Sequence, residues 1–358
     1  MKSNIVSTFS KVAGNSLAIL KPYVDSSETA SRKPFVNAEI MTPRWDESRY
    51  GWTHYGLFFS DLPEPHRFLN IMILFGTPGA MAFDHDYLVS GSPRRTATVF
   101  SGTAACKEPL LKAYVFDQDC QANPDGSDLR FGQELTIEGK YPHVHLIGNY
   151  AGLEIDIHVD ITDQVSWFLK NFVYDHFSLL AKYQGTITFA GESIPVSGLC
   201  TYEYARSFGL YSLQSRMVPV QHKLPLNFFT YQILKVSDDT QILLTKADVL
   251  GKPACYCIHV RKLGQYSEFY STVEFKVLSY HDEPKVGLDG SKTKVPKTLS
   301  WKAYDHSGKV LLDITGESDT DYYYGHGRGY ATSYRYEGQF EGRSVEGRCY
   351  MEYVDVPY

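Results

Sequence analysis

Between residues 329 and 358 the sequence runs GYATSYRYEGQF, EGRS, VEGRCYMEYVDVPY, with aromatic or small residues on one parity and polar ones on the other. Tyr330, Tyr334, Tyr336, Gly338 and Phe340 share one face going out. Val345, Gly347, Cys349, Met351 and Tyr353 share one face coming back, across a turn holding Gly342, Arg343 and Ser344. Period-two alternation over this length specifies a long antiparallel hairpin. Glycines inside such strands mark bends where a sheet curls toward closure. The feature predicts a wide, curved sheet but names no reaction.

The rest of the chain repeats the pattern. Strand signals occur at 50–59, 66–76, 96–100, 112–117, 134–139, 143–150 and 153–162, then at 185–189, 196–207, 226–234, 240–246, 255–262, 271–280, 298–305 and 309–316. Residues 118–128 and 281–297 carry the Gly, Pro and charge of exposed loops, and 167–180 fits either a short helix or a crossing strand. No helical pattern longer than about 12 residues interrupts the series, so the class is all-β. At 358 residues the chain exceeds a single core, which predicts two β-barrels or sandwiches in tandem. The expected division is an N-terminal helix and lead-in over 1–44, a first β domain over 45–184 and a second over 185–358. The helix would use Ile5, Phe9, Val12 and Ile19 or Leu20 as its apolar face.

Composition narrows the function. The 27 Tyr and 20 Phe suit strands and pockets for apolar ligands. A net charge of −6 with no basic run argues against nucleic acid. No stretch has the ~18 apolar residues of a membrane span, so no integral membrane segment is expected, although transient membrane contact would suit collection of a lipophilic substrate. Six irregularly spaced cysteines, including Cys255-Tyr-Cys257, lack a matching second ligand pair and read as thiols in a reducing cytoplasm.

Chemistry-bearing residues gather in three places. A two-residue turn at Ala151-Gly152 sets Tyr150 opposite Leu153, His145 opposite His158 and His143 opposite Asp160. One face then collects Val144, Leu146, Ile155, Ile157 and Val159, and the other His143, His145, Glu154, Asp156, His158 and Asp160. A solvated outer face is the expected reading; polar pocket lining and a metal site at His143, His145 and His158 are the lesser ones. On the first strand Trp52 and His54 share a face, either lining a pocket or packed in the core. At 196–207, Tyr202, Tyr204 and Arg206 lie on one face and Glu203 on the other. A carboxyl in apolar surroundings is a general-acid candidate, whereas at a surface it would pair with a base. Gly325-His-Gly-Arg-Gly329 lacks the phosphate-loop pattern and reads as a turn entering the last hairpin, and no G-x-S-x-G elbow is present.

Three segments together resemble the two-domain lipocalin-like superfamily that includes carotenoid 1,2-hydratases (hydroxyneurosporene synthases), AttH-type bacterial proteins and fungal Diels–Alderases. They are the first strand around Trp52, Gly56 and Leu57, the 196–207 stretch through Val196, Gly198 and Glu203, and the closing run from Glu346 to Tyr353. The chain departs from the family in lacking the first-strand Glu, one Trp and the acidic or His residue before the central Glu. The resemblance implies two lipocalin-like barrels and a cofactor-independent hydratase, isomerase or cyclase of an apolar terpenoid, steroid or polyketide-like molecule. On that reading Glu203 is the acid, His54 the base or water orienter, and Trp52, Tyr202 and Tyr204 the substrate-binding wall. Since Tyr202 and Glu203 face opposite ways on an ideal strand, a bulge would be needed to bring them together. The alternatives are a non-catalytic carrier of a lipophilic ligand, or a packed interaction protein if the barrels hold no cavity.

Overall fold

The computed structural model describes residues 25–357, apart from 46, 48 and 90. The expected helix over residues 5–20 therefore lies outside the described residues. Within them a single turn of helix, α1 (Ser27–Ser31), leads into two large antiparallel sheets.

The first sheet comprises β1 (Trp52–Phe59), β2 (Leu69–Phe75), β3 (Thr96–Thr103), β4 (Leu110–Val115), β5 (Cys120–Ala122), β6 (Asp128–Phe131), β7 (Leu135–Lys140), β8 (His143–Tyr150), β9 (Leu153–Lys170), β10 (Tyr174–Phe189) and β11 (Glu192–Ser207). Their spatial order is β4-β3-β2-β1-β11-β10-β9-β8-β7-β6-β5. A bridge between Phe116 and Cys120 brings the two ends together, so the sheet is a nearly closed barrel. Its interior is filled by one residue parity from every strand, including Tyr55, Leu57, Ile71, Ile73, Val99, Leu146, Ile157, Tyr202 and Tyr204.

The second sheet contains β12 (Leu226–Lys235), β13 (Thr240–Val249), β14 (Lys252–Lys262), β15 (Glu268–Tyr270), β16 (Val273–Tyr280), β19 (Pro296–Tyr304), β20 (Val310–Ser318), β21 (Tyr323–His326), β22 (Gly329–Phe340) and β23 (Arg343–Asp355). A small ribbon of β17 (Lys285–Val286) and β18 (Lys292–Thr293) decorates the expected loop. The order β15-β14-β13-β12-β23-β22-β20-β19-β16 puts the terminal hairpin β22–β23 in the middle of the sheet, not at its edge. Tyr330 faces Tyr353, Tyr334 faces Cys349 and Tyr336 faces Gly347, and this row lines the second core with Leu244, Trp301 and Ile314.

One expectation needs correction. The stretch 185–207 does not open the second sheet: β10 and β11 pair with each other, and β11 pairs with β1 from Trp52–Ser207 to Phe58–Thr201. Tyr202 and Tyr204 belong to the first core, so the change of sheet falls in the connection 208–225, not at 184/185. Of the two readings left open for 167–180, the helix is absent: the segment is the end of β9, a bend over 171–173 and the start of β10. The Ala151-Gly152 turn has φ of 51° and 74°, both positive as a tight hairpin turn requires, and the predicted β8–β9 register is observed.

A third apolar cluster joins the sheets. Phe58, Phe68, Met72, Leu74, Phe100 and Phe168 from the first pack on Tyr231, Ile233, Leu243, Ala331 and Tyr350 from the second. Burying side chains of this size contributes about 1.5–3 kcal/mol each, as in a single core. The outer faces of the central strands are therefore not solvated; each sheet is the other's cover.

Candidate functional site between the sheets

Strand alternation decides what enters this interface. With Tyr55, Leu57, Tyr202 and Tyr204 turned into the first barrel, Trp52, His54, Phe58 and Glu203 must turn out. Opposite them, β12 presents Phe229, Tyr231 and Ile233, and β23 presents Tyr350, Glu352 and Val354. The result is a polar cluster inside an aromatic seam. Glu203 is 2% exposed and Glu352 is 1% exposed, one carboxyl from each sheet.

Each carboxyl is held by a phenol. Tyr231 donates to Glu203 Oε1. Tyr350 donates to Glu352 Oε1 at 3.0 Å. His176 Nε2 stands 3.8 Å from Glu203 Oε2, while its Nδ1 meets the Tyr174 hydroxyl at 3.0 Å. His54 Nδ1 is 3.0 Å from the Ile73 carbonyl oxygen, which can only accept. That nitrogen therefore carries the proton, and Nε2 is left as an acceptor. His326 Nε2 lies 3.2 Å from Glu352 Oε2 without hydrogen-bond alignment. Arg261 crosses the seam to donate to Ser178 Oγ at 3.0 Å and also bonds Gln241. The ring of Phe168 is 4.8 Å from that of His176 and 5.4 Å from that of Tyr231; Phe58 stacks on Tyr350 at 5.3 Å.

Burial sets the charge states. The Glu352 carboxyl is pushed well above the usual range, first by desolvation and then by the nearby Glu203 charge, against the hydrogen bond from Tyr350. His54 falls to about 4 through burial and the neighbouring His176, with Glu203 opposing. Burial lowers His326 well below its ordinary value, with His54 and His85 adding to the effect, and takes His259 to about 3. Burial thus favours the neutral form of both Glu352 and His326, despite their ion-pair separation. Arg261, lowered to about 10 by burial, keeps its charge at neutral pH.

One side of the cluster is capped by the loop after β2. Asp84 accepts from the amides of Gly79 and Ala80 and pairs with buried Lys223 at 2.7 Å. Phe83 packs on Phe229 and His326. The 325–329 segment is the predicted turn, and it is docked under this loop: Gly327 has φ of 55°, and a Cβ there would collide with the Ala82 carbonyl. Trp52, Tyr174 and His176 are half-buried at the edge of the cluster, with the Trp52 and Tyr174 rings 5.6 Å apart.

Of the residues singled out from sequence, the structure brings Glu203, His54 and Trp52 to one face. Tyr202 and Tyr204 stay on the other, in the first core, where Tyr204 donates to the Thr42 carbonyl at 2.8 Å. The β1–β11 register runs without the bulge that would unite them with Glu203. His143, His145 and His158 stand on the outer face of the β8–β9 hairpin, away from the seam. His176, Tyr231, His326, Tyr350 and Glu352 escaped the sequence reading. The available signal was β23 itself: Tyr350, Glu352 and Val354 alternate with the interior residues Cys349, Met351 and Tyr353, so the strand is apolar on both parities around one acid. Such a strand is covered on both faces. The His54, His176 and Glu203 ligand atoms lie within 4.8 Å of one another and have the donor types to hold a divalent ion.

The family of unknown function DUF6670 matches residues 72–357. The chain belongs to that family. No curated protein matches it. Among solved structures it is similar to an AttH-type protein of Nitrosomonas europaea, with TM-score 0.54, 11% identity and coverage of 86% of this chain and 92% of that one. It is also similar to kievitone hydratase of Nectria haematococca, with TM-score 0.53, 13% identity and coverage of 93% and 98%. A third likeness is to CghA solved with Sch210972, at TM-score 0.54 and 8% identity, covering 93% and 98%. At these identities the likeness establishes the fold: the chain has the two-domain lipocalin-like architecture that its motifs resemble. Among the described residues no helix is long and apolar enough to cross a membrane.

Proposed function

We propose that the seam between the sheets is an active site, and that the protein is a cofactor-independent hydratase, isomerase or cyclase of an apolar unsaturated small molecule, working in the cytoplasm. The observation that carries this reading is the pair of buried glutamates, one from each sheet, in surroundings whose desolvation favours the protonated form of Glu352. A neutral carboxylic acid in an apolar site can give its proton to a carbon–carbon double bond. The faces of Phe58, Phe168, Tyr231 and Tyr350 would stabilise the cation that forms. Glu203 would then take a proton from an incoming water in hydration, or from an adjacent carbon in isomerisation or cyclisation. One proton leaves Glu352 and one arrives at Glu203, so the step balances. His54, neutral with an accepting Nε2, would orient the water, and Trp52, Tyr174 and His176 would form the entrance. This assigns the donor role to Glu352 and moves Glu203 from acid to acceptor. The hydratase named among the structural neighbours supports the reaction class.

Native mass spectrometry of freshly purified protein would identify a bound apolar ligand. That ligand and a panel of prenylated, terpenoid and polyketide alkenes would then be incubated in D2O. Deuterium at a former alkene carbon, lost in Glu352→Gln, is the expected result. A ligand released unchanged, with no deuterium entering any alkene, would make the protein a carrier.

A further inference from the structure

The polar face of the β8–β9 hairpin has a geometry that solvation does not require. His145 and His158 are directly opposed across the two strands, and their rings lie parallel at 4.1 Å with a 14° interplanar angle. Asp156, two residues before His158 and on the same face, reaches His145 Nε2 with Oδ1 at 2.7 Å. Ligand atoms of all three lie within 4.8 Å of one another. On the far side of His145, Glu138 of β7 is its direct cross-strand partner, half-buried and 3.2 Å from Arg130. The row is therefore carboxylate, imidazole, imidazole, with a second carboxylate on the diagonal. Cross-strand neighbours have Cβ atoms about 4.5–5.5 Å apart, a spacing that small side-chain rotations can converge on one ion.

We propose that His145, His158 and Asp156 form a binding site for a first-row divalent transition ion of the zinc type, open to solvent, with Glu138 available as a fourth ligand. Two imidazoles and a carboxylate are the donor set that zinc, copper and nickel prefer, whereas magnesium and calcium take oxygen ligands. Tetrahedral coordination with bonds of about 2.0–2.2 Å spaces ligand atoms about 3.4 Å apart, so the present separations, all within 4.8 Å, would have to close by side-chain rotation on binding. The site lies on the outer face of the first barrel. His143 is the internal control: it is on the same face, one step along, and is taken up by Asp160 at 2.8 Å.

The test is calorimetric titration of the full-length, tag-free protein with zinc chloride, with magnesium chloride as comparison and Co2+ absorption as a second readout. Zinc is expected to bind at one equivalent, with magnesium silent and Co2+ giving the visible bands of a low-coordinate site. His158→Ala and Asp156→Asn should each weaken zinc at least tenfold while His143→Ala leaves it within twofold. All three positions are exposed, so folding is not at stake, and circular dichroism would verify it. Absence of zinc binding at millimolar concentration, or equal weakening by His143→Ala and His158→Ala, overturns the proposal.

Discussion

On the β8–β9 hairpin, His143, His145, Asp156, His158 and Asp160 stand on the face away from the barrel core and meet water. On β1, β10, β11 and β23, His54, His176, Glu203 and Glu352 also stand on the face away from their own core, but they meet another sheet. In the sequence the two sets look alike, as polar residues alternating with apolar ones. What separates them is the second layer. Where Phe58, Phe68 and Phe168 lie beside the polar residues, the outer face has its own apolar content and a partner to bury it against. The hairpin has only Ile147 to offer, and that residue is partly exposed. The same imidazoles and carboxylates therefore keep water as their environment in one place and lose it in the other.

The largest effect should come from removing the chemistry that this burial creates. Glu352→Gln keeps the shape and the hydrogen bond from Tyr350 but removes the transferable proton. Turnover of an identified alkene substrate is expected to fall by about 10²–10⁴-fold, the usual worth of a positioned acid or base. Glu203→Gln should fall by a similar factor. Retention of full turnover by both variants would separate the buried pair from the reaction. Glu154→Gln, on the hairpin, should leave kcat unchanged.

Acidification should act next, through the buried imidazoles of the seam. His54 titrates at about 4 in the fold against an ordinary value of 6.5, so between those limits the unfolded chain binds the proton and the folded one does not. Stability is then present above pH 6.5 and is lost as pH falls toward 4, by about 3 kcal/mol for this one residue. His326 and His259 act in the same direction. Glu352 acts oppositely, since its raised folded value costs stability as pH rises above the ordinary carboxyl range. Thermal melts of wild type and His54→Asn between pH 7 and 4 would measure the difference; an unchanged slope in the variant would refute the assignment to His54.

Much of the scaffold was legible because period-two alternation reports which residues share a face. The β8–β9 register, the terminal hairpin and the face shared by Trp52 and His54 all follow from it. Alternation says nothing about which sheet a strand joins: the 196–207 strand resembled an opening strand, but Tyr202 and Tyr204 complete the first core. Nor does it report what lies over the second face. The approach of Glu203 to Tyr231 and the coupling of Glu203 with Glu352 link strands far apart in the chain, and only the docking of two sheets creates them. His176 was hidden by a stretch whose mixed parity fits a strand passing from core to seam.

A smaller effect is expected at the seam's hydrogen bonds. Tyr231→Phe removes the phenol that donates to Glu203 and leaves a buried carboxylate oxygen short of a partner, at a cost of about 1–3 kcal/mol in urea unfolding.

The hairpin supplies the smallest effect and the sharpest control. His158→Ala removes an imidazole of the same kind as His54, but its side chain is exposed and the strand beneath is held by Ile157 and Val159, both buried in the first core. Its removal should change unfolding free energy by no more than about 0.5 kcal/mol in the absence of metal. A larger loss in urea melts would mean that the stacked His145–His158 pair carries structural weight, and the contrast between a water-facing and a sheet-facing imidazole would fail at its water-facing end. If zinc binds as proposed, a given zinc concentration should stabilise the wild type more than His158→Ala, because a ligand raises stability according to its occupancy of the folded state.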